Sequence, residues 1–168
     1  MNTSKLKTYA PQARTDFIEA VKARAAKFGI SKSGSVEMAV QDEVAIVYGE
    51  AYPKKVYAQR EGILKRIQEK GYEATMEAMA YTWFNRLMAL RYMELHGFLD
   101  HGYRVLSHPE GATAPEILQH ARYVDLPGLD KARVIELLLA GNRDEELYRI
   151  LLLAQCHALH VTRQRHSD

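Results

Sequence analysis

A single cysteine, Cys156, stands in the 168 residues. No internal disulfide can staple the chain, and such thiol usage fits a reducing, cytoplasmic setting. The five prolines (Pro11, Pro53, Pro109, Pro115 and Pro127) are all isolated, which excludes any Asn- or Asp-Pro-Pro-aromatic tetrapeptide. No run approaches the roughly 18 apolar residues of a membrane span, and the start, Met1-Asn2-Thr3-Ser4-Lys5-Leu6-Lys7, lacks the apolar stretch of a signal peptide. Neither GxGxxG nor a Walker lysine loop occurs, so the common phosphate-cradling turns are missing. The nucleophile elbow GxSxG is absent as well. Cys156 and His160 share a helix face beside His157, but a zinc site wants four ligands in two clusters and no second cluster exists. No metal and no catalytic residue is expected.

What is present is an ordinary core: 47% of residues are hydrophobic and 26% charged, at a length that suits one domain. The net charge of +2 hides an asymmetry. Residues 1–32 carry +5, residues 33–53 carry −4 with no base at all, and residues 54–70 carry +4. The two basic segments could meet nucleic acid phosphates; the plainer alternative is that both are solvated helix faces. Lys22 and Arg24 stand in the first segment, and Lys54, Lys55, Arg60, Lys65 and Arg66 in the second.

Apolar spacing predicts a mainly α chain, a helical bundle with a small β-hairpin after the first helix. The first helix follows Pro11, with Phe17, Ile18, Val21, Ala25 and Phe28 on one side and Gly29 at its end. Val44 to Tyr48 is a β-branched run closed by Gly49, with residues 36–40 as its partner. Pro53 opens a second helix whose exposed side carries Lys54, Lys55, Arg60, Lys65, Arg66 and Lys70, and which stops at Gly71. Tyr72 to His96 is the longest helical signal. Its apolar residues cover nearly the whole circumference, which marks a helix buried on every side. Thr113 and Glu116 have the spacing of a capping box, Asp130 caps a helix ending at Gly141, and Asn142 and Glu145 open the last one. The terminal stretch, residues 161–168, is polar and carries no stop signal.

Charged and aromatic residues inside the longest helix are the candidates for chemistry. Arg91 and Glu94, three apart, can pair on one face. The alternatives are a structural ion pair or a contact with phosphate or a partner, because a lone buried charge is costly. Trp83 and Phe84, beside Asn85 and Arg86, could stack on a base, although their spacing suits a core.

The stretch Met76–Gly97, MEAMAYTWFNRLMALRYMELHG, resembles the N-terminal helical region of the PglX family, adenine-specific DNA methyltransferases of BREX phage-defence systems. LKTYAPQAR at residues 6–14, DHGYRVLSHPEG at 100–111, DEELYR at 144–149 and Ala154-Gln155-Cys156 are similar too. The resemblance covers about residues 1–160, taken as one helical domain, and leaves 161–168 as a divergent tail. It implies a long protein that uses S-adenosylmethionine to methylate the N6 of a flipped adenine. The family's cofactor glycine motif and Asn/Asp-Pro-Pro-Tyr motif are not in this chain, so no catalytic residue carries over. As partners it implies a methyltransferase catalytic domain or other BREX components, and double-stranded DNA; no membrane is involved.

Overall fold

The computed structural model describes the backbone of residues 3–165 and the side chains of residues 11–159. The chain is mainly α with a small β region, as its periodicity predicts. It divides between Phe84 and Asn85 into two compact units.

In the first unit, α1 (Thr3–Lys27) starts well before the expected point, and Pro11 lies inside it. A proline there removes one helical hydrogen bond but does not begin the helix. Gly29 follows at φ +70°, and a Cβ on it would come within 3.1 Å of Val47 and 3.2 Å of Val36. A side chain there would crowd both valines and strain the left-handed backbone, which glycine avoids. Instead of one hairpin, two small sheets follow. β1 (Ile30–Ser31) pairs with β2 (Gly34–Ser35), and β3 (Ala39–Gln41), β4 (Val44–Val47) and β5 (Glu50–Pro53) form an antiparallel meander. Its two turns place Asp42 and Tyr48 at φ 52°, the left-handed conformation that tight hairpin loops demand. Pro53 ends β5 rather than opening a helix; α2 (Lys55–Lys70) starts after it.

Among the described residues, apolar clusters hold this unit. Ala25, Ile30 and Met76 are packed by Val21, Ile63, Leu64 and Ile67. Met38, Ala45 and Val47 are packed by Phe28 and Tyr52, because alternate β4 residues face inward.

The helix α3 (Tyr72–His96) has the predicted bounds but not the predicted burial. Met76, Ala80, Leu90 and Glu94 are buried, while Tyr81, Phe84, Met88, Tyr92 and Leu95 are exposed. At 100° per residue the two sets fall on opposite sides. A helix apolar all round is here covered on one side only.

In the second unit, α4 (Glu116–Gln119) is followed by a 3₁₀ turn (Ala121–Tyr123). The capping box does not form: no side chain caps α4, and Glu116 Oε2 accepts the amide of Arg104 at 2.8 Å. Asp130 does cap α5 (Lys131–Ala140), its Oδ1 accepting the Arg133 amide at 3.0 Å, and Gly141 closes the helix at φ 70°. α6 (Asp144–Arg165) follows. Val105, Ile117, Val124, Val134, Leu137, Leu147 and Leu151 form the buried interior of this unit. On its surface, Arg133 and Glu136 of α5 alternate in charge with Arg143 and Glu146 at the head of α6, and Glu146 takes a hydrogen bond from each arginine.

Candidate nucleic-acid interface and the α3 charge cluster

The basic α2 segment separates into a buried member and exposed ones. Arg60 is not on the exposed side where its spacing suggested; it is 5% exposed. Its Nε donates to the Phe28 carbonyl at 2.8 Å, its Nη2 to the Val36 carbonyl, and its Nη1 to Glu61 at 3.1 Å. The guanidinium fork ties the end of α1 and the start of the β region to α2, which burial demands of a charge. Lys55, Lys65 and Arg66 are exposed, on the arc of α2 away from Ile63, Leu64 and Ile67. Among the described residues these three form no ion pair, whereas Lys54 sits 3.4 Å from Glu43.

The α1 candidates are occupied otherwise. Lys22 lies 2.9 Å from Glu73 of α3 and 3.1 Å from Glu19. Hydrogen bonds that Lys22 donates to these carboxylates, Glu73 first, hold its pKa above the usual lysine value, and Lys22 in turn pulls Glu73 below the usual carboxylate range. Arg24 is exposed with its guanidinium 4.9 Å from the centre of the Phe28 ring. The structure thus turns Lys22 toward an acidic partner, while Arg24 stays exposed on α1 and Lys55, Lys65 and Arg66 stay exposed on α2.

In the second unit, Arg91 and Glu94 pair as their spacing predicts, and a third residue joins them. Arg91 Nη1 donates to Glu94 Oε1 and, at 2.7 Å, to Ser107 Oγ, while Ser107 donates to Glu94 Oε1 at 3.0 Å. Glu94 Oε2 accepts the amides of Val105 at 2.8 Å and Leu106 at 2.7 Å. Burial pushes the Glu94 pKa up, but the Leu106 amide, Arg91, Ser107 and the Val105 amide together bring it below the ordinary value. This carboxylate pins residues 105–107 to α3. It has no lone pair turned to solvent and no geometry for acid–base work.

Of the remaining candidates, Trp83 is half-buried, while Asn85 and Arg86 are exposed. Phe84 meets Phe17 edge to face at 6.3 Å. Sequence spacing does not single out a cluster within the second unit: His101 accepts the Tyr103 amide at Nδ1, at 3.1 Å, so Nε2 carries the proton and donates to the buried Gln155 at 2.8 Å. Tyr103 stacks on His120 at 4.1 Å. Cys156 is buried, and its surroundings push its thiol pKa up. Among the described residues no group of three His, Cys, Asp or Glu side chains could hold a metal ion. No described helix is long and apolar enough to cross a membrane.

No family model matches the chain, but two curated relatives match it almost end to end. It is 51% identical over 168 residues to the adenine-specific methyltransferase BrxX of Escherichia coli O9:H4 (strain HS), covering 95% of this chain and 14% of that protein. It is 33% identical over 178 residues to the adenine-specific methyltransferase PglX of Lacticaseibacillus casei (strain Zhang), covering 95% of this chain and 15% of that one. The helical chain with its small antiparallel sheets is therefore kin to adenine-specific methyltransferases. Its similarity is to the BrxX and PglX proteins, and the chain spans about a seventh of the length of each.

Proposed function

We propose that this chain acts as the N-terminal helical part of a BREX-type adenine-specific DNA methyltransferase in the cytoplasm, inactive by itself, bracing the catalytic domain and contacting DNA. The observation that carries this reading is the 51% identity to BrxX across 95% of the chain. Methyl transfer from S-adenosylmethionine belongs, on this reading, to polypeptide outside the chain. The residues present do not fit that cofactor. Among the described residues the strands pair only antiparallel, so no carboxyl edge of a parallel sheet offers a nucleotide seat. The open cavity of about 350 Å³ between residues 35–38 and α2 is lined by Glu37, Tyr57, Glu61 and Leu64, with the Arg60 guanidinium already engaged.

The DNA contact is one of phosphates rather than base edges. Its support is the set of unpaired cations Lys55, Lys65 and Arg66 on one exposed arc, joined by Lys54 at the head of α2. Of the other candidates, Arg60 is engaged by the Phe28 and Val36 carbonyls, Lys22 by Glu73 and Glu19, and Arg24 lies over the Phe28 ring. The second reading, a module that docks other defence components without DNA, draws on the exposed apolar side of α3.

The test is a full-length exchange. This chain replaces the matched segment of the Escherichia coli relative, and adenine N6-methylation of cellular DNA is measured. Methylation by the exchanged protein, with none from the 168-residue chain alone, is the expected result. A folded exchanged protein without methylation would overturn the reading, as would methylation by the short chain.

A further inference from the structure

The exposed side of α3 asks for a cover. In the second unit, Met88, Tyr92 and Leu95 are 52%, 57% and 50% exposed, and Phe98, just past the helix, is 56% exposed. They are joined by a stack of rings: Tyr92 on His96 at 4.1 Å and His96 on Phe98 at 5.7 Å. His96 Nδ1 lies 2.8 Å from the Tyr92 carbonyl, which fixes the ring against its own helix. The patch is therefore preformed, with large rigid side chains of the kind that anchor protein interfaces. Its charged neighbour, Arg91, is held by Glu94 and Ser107, so nothing in this arrangement aims a cation at a phosphate backbone. Helices apolar on every side are ordinarily covered on every side, and this chain covers the Leu90 and Glu94 side only.

We propose that the Met88, Tyr92, Leu95 and Phe98 face is a docking surface for the remaining polypeptide of a BrxX-type methyltransferase. This rests on the functional reading above. The occupant follows from length: the matched segment is 14–15% of each relative, so in those proteins most of the polypeptide lies outside it. The bound partner presents an apolar groove or helix face without charged groups at its centre, since burying an unpaired charge against Tyr92 and Leu95 is costly.

The experiment compares thiol alkylation at Leu95→Cys and Met88→Cys in two settings: the 168-residue chain, and the full-length Escherichia coli relative carrying this chain in place of its matched segment. Iodoacetamide labelling is read by peptide mass spectrometry without DNA, with exposed Lys55→Cys as reference. The expected result is that positions 88 and 95 label at least about tenfold more slowly in the full-length protein, while position 55 is unchanged. Equal labelling in both settings, in an exchanged protein that still methylates adenine, overturns the docking surface and leaves the functional reading standing. An exchanged protein that folds but does not methylate overturns that reading, and the docking proposal with it. Protection already present in the short chain and lost on dilution overturns the proposal in favour of a second copy.

Discussion

Glu94 Oε2 holds two consecutive backbone amides, Val105 at 2.8 Å and Leu106 at 2.7 Å, from a position on α3 eleven and twelve residues away. One carboxylate thus fixes where the chain goes after the longest helix ends. Glu94→Gln keeps the shape but turns an amide group toward donors, so it should destabilise the fold by about 2 kcal/mol and Glu94→Ala by about 3 kcal/mol. Because the native pKa of Glu94 lies below the ordinary value, its contribution is fully present above the unfolded value near pH ~4.3 and is lost as pH falls through the native pKa. Urea midpoints at pH 7 and pH 3 should show the gap between wild type and Glu94→Gln narrowing at the acid end.

Arg60 gives a second prediction that separates structure from nucleic-acid contact. Arg60→Ala leaves the Phe28 and Val36 carbonyls without their donor and should cost about 2–3 kcal/mol. Arg60→Lys should recover only part of that, since a lysine cannot span both carbonyls as the planar fork does. Thermal unfolding reads the loss. At a temperature where both variants remain folded, the salt dependence of DNA binding should not move.

The exposed α2 cations should behave in the opposite way. Reversing Lys54, Lys55, Lys65 and Arg66 together should leave stability nearly intact, weaken binding to duplex DNA for all sequences alike, and flatten the slope of log affinity against log salt by about 3. Lys54 should contribute least, because Glu43 already faces it. Fluorescence anisotropy over a salt series measures the slope, and an unchanged slope would remove α2 from the DNA-binding account.

Cys156 should be slow to react. Burial raises its thiol pKa and also screens it, so the thiolate is scarce and shielded. Ellman's reagent at pH 8 should modify the native chain slowly and the urea-unfolded chain at once. Rapid native modification would mean that this part of α6 opens readily.

The helices were legible in the sequence where local signals agreed with packing. Tyr72–His96 has no internal glycine or proline, and Asp130 and Gly141 are chemically suited to the two ends of α5. Errors came where tertiary contacts decide. Arg60 reads as another base on a basic helix, and only the carbonyls of Phe28 and Val36, far away in sequence, explain its burial. Tyr48-Gly49 lacks the Asn-Gly signature of a tight hairpin, so no local signal marks the turn into β5. Glu116 has capping-box spacing but is drawn to the Arg104 amide. In α3 the pattern showed how apolar the helix is, but not which neighbours lie within reach. Of the candidate site, the Arg91–Glu94 pair was readable from spacing of three, whereas Ser107 and the two amides were not.

The α5 and α6 leucines that build the second unit are forgiving partners, because one leucine can slide past another at little cost. The alternating charges of Arg133, Glu136, Arg143 and Glu146 are not forgiving. A shift of one helix along the other by a turn would part Arg133 from Glu146. These surface residues therefore act as a vernier for the helical hairpin: they add little to its strength and mark the one alignment in which the leucine seam closes.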